Sequence, residues 1–204
     1  MKPFLKGKVA LGISGGVDSA ICCNLLKAAG YEVFGFYCIM SDSHLDNVPK
    51  VRKTAEELSI SIDIADVRNE FKNNVIIPFA ESYSRGFTPN PCVLCNEKVK
   101  FKSLSEYSEQ ISADYIATGH YARVINDNGY FIATARDSSK DQSYMLYRLS
   151  QQVLSRLILP LGEYLKSEVT EMARFSNLSN ASDPESQDIC FIDIYDYAEY
   201  INSI

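Results

Sequence analysis

Two stretches of the chain carry residue types and spacings suited to chemistry. In "TPNPCVLCNEKVKFKSL", residues 88–104, Cys92 and Cys95 stand two residues apart, after two prolines and before a lysine-rich run. A CxxC pair of this kind serves as metal ligands, as a redox couple, or as one nucleophile beside an incidental neighbour. The second stretch is "GISGGVDSA", Gly12 to Ala20. Gly15 and Gly16 let a backbone approach an anion closely, Ser14 and Ser19 offer hydroxyls, and a helix start following Gly16 offers N–H groups with partial positive charge. A phosphate suits such a loop. It lacks the lysine of a Walker A motif, so a kinase or GTPase loop is not indicated. Taken alone, a Gly-Gly turn in which Asp18 or Ser19 caps a helix explains it as well.

The surrounding elements are those that put such loops at the ends of strands. "KVALGIS" (8–14) and "YEVFGFYCI" (31–39) are apolar runs of buried-strand length, and "DSAICCNLLKAAG" between them has helical spacing ending at Gly30. A helix near 48–58, a strand "ISIDIADV" (60–67), a helix ending near Tyr83, a helix from Asn96 to about Ser112 and a strand "DYIATG" (114–119) continue the alternation. The expectation is an α/β fold with a doubly wound parallel sheet covered on both faces. From Tyr121, "YARVINDNGYFIATA" reads as a small β-hairpin about Asn128-Gly129, and two helical stretches follow Gln151 with "LPLG" between them. Two parts are expected: a nucleotide-binding part over 1–150 and a helical extension over 151–204 that carries Cys190.

Composition restricts the partners. The chain has 204 residues, 46% hydrophobic and 23% charged, enough for one substantial core. A net charge of -6 gives no global attraction to nucleic acid, so any such contact must rest on local patches. Six cysteines at irregular spacings, with no signal peptide or long apolar run, fit free thiols in a reducing cytoplasm and no membrane association. Cys22 and Cys23 inside a helix read as small buried hydrophobes, and Lys98, Lys100 and Lys102 as a solvated helix face. The 13 tyrosines read as packing residues. His120 on its own reads as a hydrogen-bonded residue at a strand end.

The string SGGVDS is the signature of the PP-loop ATP pyrophosphatases. In order and spacing, "GISGGVDS", "TPNPCVLCNEKVKF", "ADYIATGHYAR", "DSSKDQSYMLY" and "SQDICFI" resemble the tRNA-specific 2-thiouridylases, the MnmA family, over nearly the whole chain. The resemblance implies an adenine nucleotide alpha hydrolase-like fold and an ATP-dependent tRNA sulfurtransferase. Such an enzyme adenylates the C2 oxygen of the wobble uridine and replaces it with sulfur. It implies ATP and Mg²⁺ at Gly12, Ile13, Ser14, Gly15, Gly16, Val17, Asp18 and Ser19, with Cys38 and Gly119 also at the nucleotide. Asn90, Pro91 and Cys92 would receive the target base, and His120, Lys140, Asp141 and Gln142 would touch tRNA. Cys95 and Cys190 align with the family's two functional cysteines, of which Cys190 would carry persulfide sulfur and Cys95 would resolve the intermediate. The sulfur donor would be sulfide or a sulfur-relay protein.

Three departures accompany the resemblance. Cys92 stands where familiar members have Asp. The stretch "IMSDSHLDNVPK" lacks the usual aromatic and acidic pattern, and the family's central domain and C-terminal β-barrel have no counterpart before Ile204. A CxxC with a distant third cysteine supplies three thiolates, and a [4Fe–4S] cluster held by Cys92, Cys95 and Cys190 would leave one iron open to an exogenous sulfide. Zinc would want a fourth protein ligand. Two other classes remain open: a PP-loop ligase using ammonia, against which the three cysteines speak, and a non-catalytic or desulfurising binding module.

Overall fold

The computed structural model describes residues 6–176, 178, 179, 190 and 191. The rest of the block around Cys190, and of the expected 151–204 extension, lies outside the described residues.

β1 (Lys8–Gly12) is the centre of the molecule, because Val9, Ala10 and Leu11 are all fully buried and only a strand covered on both faces buries consecutive residues. Val9 and Leu11 point into one core with Ile21 and Leu26 of α1 (Val17–Ala28), Val51 of α3 (Val48–Glu57) and Val169 of α9 (Lys166–Phe175). Ala10 points the other way, into a core with Phe101 and Leu104 of α7 (Phe101–Gln110). On either side of β1 stand β2 (Glu32–Ile39) and β4 (Tyr115–Thr118), both parallel to it. β3 (Ile62–Asp66) extends the sheet beyond β2 and β7 (Leu157–Ile158) beyond β4, giving the order β3-β2-β1-β4-β7. This is the doubly wound parallel sheet read from the sequence, with helices on both faces. β5 (Ala122–Asn126) and β6 (Tyr130–Thr134) form the hairpin, with Asn128 and Gly129 both at positive φ in its turn.

The strand order reverses between β1 and β4, and a crevice therefore opens at their carboxyl ends, where open α/β sheets bind their ligands. Short helices α2 (Asp42–Asp46) and α4 (Arg68–Phe71) follow β2 and β3 at this edge; α5 (Ile77–Ser84) and α6 (Pro91–Cys95) come next in the chain, and α8 (Gln151–Leu154) leads into the amino end of β7. Two π-helical turns, Lys72–Ile76 and Asn96–Lys100, interrupt the long helices and pack against each other.

Two local readings are corrected. The helix expected from Asn96 begins at Pro91, so Cys92 and Cys95 lie on a helix and not before one. Asn90 caps it, its Oδ1 accepting from Cys92 N at 3.0 Å, and proline occupies the first helical position, where no N–H is needed. The fifth strand, β7, stands just before "LPLG", in a stretch that reads as helical, because two residues show no periodicity of their own.

Candidate active site

The phosphate loop fills the crevice mouth. Ile13 to Gly16 leave β1 and turn directly into α1, whose start carries no side-chain cap. Gly15 has φ +77°, and a Cβ there would meet Val51 Cγ2 at 3.0 Å, so glycine is required by both conformation and space. Ser19 is buried and braces the loop from within: its hydroxyl accepts from Ser14 N at 3.2 Å and donates to the Gly16 carbonyl at 2.9 Å. Asn47 Nδ2 holds the Ser14 carbonyl at 3.1 Å. Ser14 remains exposed at the mouth. The loop is thus preformed, with its backbone turned to the crevice. On the far side Gly119 follows β4, and a Cβ on it would stand 3.2 Å from Ser19 N. Its missing side chain is what lets the β4 end close on the start of α1.

Asp18 is the one carboxylate of the loop, and its partners come from far along the chain. Lys166, the first residue of α9, places Nζ 2.6 and 2.8 Å from its two oxygens, and Tyr121 donates its hydroxyl to Oδ1 at 3.1 Å. The ammonium also lies 5.6 Å over the Tyr121 ring. Sequence reasoning named Asp18 and missed Lys166 and Tyr121. No local pattern could have revealed an ion pair across 148 residues.

The thiols gather on the neighbouring part of the same edge. Cys95 is buried with Phe71, Phe79, Val99 and Phe191 and sits 3.7 Å from Met40 Sδ. Phe191 packs edge-on against Phe71 and Phe79, at ring separations of 5.3 and 5.7 Å. That anchor holds Cys190, which is exposed, beside the Cys95 cluster. Cys92 is half-buried one turn before Cys95. The six cysteines form no disulfide. Cys22 and Cys23 are buried in α1, as expected of small hydrophobes, and burial raises both thiols above the usual range.

Lys100 joins these groups. The π turn closes with Phe101 N–H donating to the Asn96 carbonyl, five residues back, and that geometry puts residues five apart on one side of the helix. Cys95 and Lys100 are such a pair. Lys100 is therefore half-buried and interacts electrostatically with Cys95, Cys190, Cys92 and Cys38, while Lys98 and Lys102 are exposed as read from the sequence. Burial works against the Lys100 charge, while the attraction of the four sulfurs in their ionised form raises the ammonium above its ordinary value. Burial pushes the Cys95 thiol up to about 12 and the Cys38 thiol to about 11, with Lys100 pulling against both. Cys38, expected at the nucleotide, thus also faces Lys100.

His120 bridges the two halves of the edge. It follows Gly119, its Nδ1 lies 2.8 Å from Thr118 Oγ1, and its ring lies 6.0 Å from that of Phe101. Burial, and then Lys100, lower its pKa to about 3, so it is neutral at physiological pH. With the unfolded value near 6.5, the unfolded chain binds the extra proton between pH 6.5 and about 3. Stability from this group is complete above pH 6.5 and falls as pH drops through that window, by at most about 1.4 kcal/mol per pH unit. Urea melts of wild type and His120→Asn at pH 7.5, 6 and 5 check this: the variant is expected to lose less stability on acidification. Parallel pH profiles would show that His120 does not titrate as described.

Of the remaining sequence-named residues, Asn90 is exposed and engaged as a cap, and Pro91 is buried. Asp141 accepts from Ala135 N at 2.8 Å and from the Ser143 hydroxyl at 2.6 Å. Gln142 Oε1 accepts from Tyr121 N at 3.0 Å, and Lys140 is half-buried. Among the described residues no group of three His, Cys, Asp or Glu side chains is arranged to hold a metal ion. Cys92, Cys95 and Cys190 supply the right donor chemistry for an iron–sulfur cluster and share one electrostatic neighbourhood, but as placed they do not form its seat. No helix among the described residues is long and apolar enough to cross a membrane.

A preformed phosphate loop at the switch point of a parallel sheet, with the second strand end closed onto it, defines an α/β protein of the adenine nucleotide alpha hydrolase type. Solved structures share that fold. A 4-thiouridine synthetase–RNA complex with bound ATP superposes with TM-score 0.53 and 20% identity, covering 90% of this chain and 44% of that one. A glutamine-dependent NAD⁺ synthetase from Acinetobacter baumannii superposes with TM-score 0.52 and 17% identity, over 82% of this chain and 28% of that one. The chain belongs to the tRNA methyl transferase HUP domain family, whose model matches residues 7–194. Curated relatives include the tRNA-specific 2-thiouridylases MnmA of Lachnoclostridium phytofermentans, 44% identical over 95% of this chain, and of Syntrophomonas wolfei, 46% identical over 95%. The chain spans 58% and 57% of the length of these two relatives.

Proposed function

We propose that this chain is the ATP-using, sulfur-transferring part of a tRNA 2-thiouridylase. The observation that carries the reading is the continuity of one edge: Gly119 closes on the phosphate loop, His120 follows it, and Lys100 is electrostatically linked both to His120 and to the thiols. An adenylation site and a sulfur site thus adjoin. ATP would lie with its phosphates on Gly12 to Ser19 and its base towards Cys38. Asp18 is the carboxylate suited to Mg²⁺, once turned from Lys166; the metal would supply charge neutralisation at the phosphates. The uridine, received at Asn90 to Cys92, would attack the α-phosphorus through its C2 oxygen and expel pyrophosphate. The carbonyl oxygen then carries AMP and becomes a competent leaving group. Sulfur would add to C2 and AMP would depart.

Two deliveries of that sulfur remain. In the first, Cys92, Cys95 and Cys190 would have to be brought together to hold a [4Fe–4S] cluster, which would then offer an open iron to sulfide. The second reading is favoured by exposure. An exposed Cys190 thiolate can attack the outer sulfur of a persulfide on a relay protein, releasing that protein's thiol and itself becoming a persulfide, whose outer sulfur attacks C2. Cys95 would then attack Cys190 Sγ, forming a disulfide and releasing the thiolated base, and an external thiol reductant would restore both. The assignment of 1–150 to the nucleotide and of 151–204 to the third cysteine is part of this proposal, as are the sulfide or relay-protein donor and a cytoplasmic setting.

The test is product analysis with tRNA transcript, ATP and Mg²⁺. AMP and pyrophosphate are expected, together with 2-thiouridine when sulfide is supplied anaerobically, and Asp18→Ala should abolish pyrophosphate release. ADP and phosphate as products would overturn the reading. AMP formed with ammonia incorporation would instead select a ligase.

A further inference from the structure

The loop from Asp137 to Gln142 is tied to Asp18 by two separate routes. Along the first, Gln142 grips the main chain of Tyr121 at both ends: its Oε1 accepts from Tyr121 N at 3.0 Å, and its own N–H donates to the Tyr121 carbonyl at 2.8 Å. Tyr121, 3% exposed, then donates its hydroxyl to Asp18 Oδ1 at 3.1 Å. Along the second, Asp137 Oδ2 accepts the backbone N–H of Lys166 at 2.8 Å, and the ammonium of the same lysine reaches both Asp18 oxygens. That N–H, and next the Ser139 hydroxyl, hold the Asp137 carboxyl below its usual range. Asp141 stiffens the loop between the two attachments through its bonds to Ala135 and Ser143.

A tyrosine needed only for packing would satisfy its hydroxyl on a carbonyl or at the surface. Here the partner is the carboxylate of the phosphate loop, and the backbone of the same tyrosine is clamped by a residue of the 140–142 strip. Asp18 has two competing sets of partners: Lys166 with Tyr121, as seen, or the charged groups that arrive with ATP. The position of the 137–142 loop decides how firmly the first set is held.

We infer that Tyr121 and Asp137 are positioning residues that couple RNA engaged at Lys140 to Gln142 with nucleotide bound at Asp18, each ligand strengthening the other. The inference rests on the functional reading above. RNA that draws the loop off its resting position misaligns both routes, and because hydrogen bonds weaken steeply with misalignment, Asp18 is freed for the nucleotide. A nucleotide that recruits Asp18 releases the loop for that shifted position in turn, and the two effects must be equal because binding free energies form a cycle.

The test measures the dissociation constant of α,β-methylene-ATP by calorimetry, with and without a saturating tRNA transcript, and that of the transcript with and without the nucleotide. In the wild type the transcript is expected to tighten nucleotide binding by about five-fold or more, with the same factor in the reciprocal titration. In Tyr121→Phe and in Asp137→Asn that ratio is expected to fall below about two-fold while each ligand still binds singly. If one variant melts early, the other carries the measurement. Ratios equal to wild type in both variants would overturn the inference, as would a wild-type ratio of one with both ligands bound, and the functional reading would survive either result. A wild type that binds neither ligand removes the functional reading and this inference together.

Discussion

Replacing Lys166 with Met should lower pyrophosphate release by at least about 100-fold, close to the loss of about 2.7 kcal/mol seen when one charge-stabilising group is removed from a catalytic site. The phosphates must enter a mouth that already holds the Asp18 carboxylate. With Lys166 Nζ 2.6 Å from Oδ1 that charge is offset before the nucleotide arrives, and once Asp18 turns to Mg²⁺ the released ammonium stands beside the phosphates. Without it both supports are lost, and the Tyr121 hydroxyl alone does not replace a positive charge. Methionine keeps the stem of the side chain against the Tyr121 ring, so the packing survives. Stability should change far less than activity. The pair is part-buried, at 17% and 33% exposure, and breaking it should cost about 1 kcal/mol after allowance for solvent screening. Lys166→Arg should recover part of the rate. Single-turnover pyrophosphate assays beside thermal melts make the separation, and an unchanged kcat/KM in Lys166→Met would refute the role.

What the sequence disclosed followed from how each feature is encoded. The central strands were legible because parallel strands buried on both faces must be continuously apolar, as "VAL" in β1 is. The phosphate loop was legible because its glycines and hydroxyls are consecutive. The start of α6 was encoded too, by Asn90 as cap and Pro91 after it, but the helix is expected only from Asn96. The π turn was not encoded in any pattern seen at this level. It shifts the helix by a single residue, so Val99 and Phe101 still fall inside and only the orientation of Lys100 changes. That shift converted a residue read as solvated into the cation of the thiol site. Lys166 was hidden for the opposite reason, since its partner is remote and its own neighbourhood, "YLKSEV", reads as an ordinary helix start.

Cys92→Ser is the substitution that separates the two sulfur chemistries, and its effect should be large in only one of them. If the three thiols hold a cluster, Cys92 is a ligand as necessary as Cys95 and Cys190. Anaerobic reconstitution should then give about four irons per chain in the wild type and in Cys22→Ser, whose buried thiol in α1 is engaged by the Thr118 carbonyl, and little in Cys92→Ser, Cys95→Ser and Cys190→Ser. Sulfur transfer should fall in parallel by three orders of magnitude or more, while pyrophosphate release, which depends on the loop after β1, stays within about two-fold. The placement of the thiols sharpens the expectation. Cys95 is 5% exposed and burial pushes its thiol up to about 12 even with Lys100 pulling against it, so it reacts poorly while it stays buried. Cys190 is exposed and is held near Cys95 by Phe191, so a ligand set requires Cys190 to turn inward, whereas a persulfide carrier does not. If a persulfide carries the sulfur, Cys92 should be dispensable. A Cys92→Ser protein that keeps full sulfur transfer without iron therefore removes the cluster and leaves Cys190 and Cys95 as carrier and resolving thiol, with Lys100 as the counter-charge that either chemistry needs.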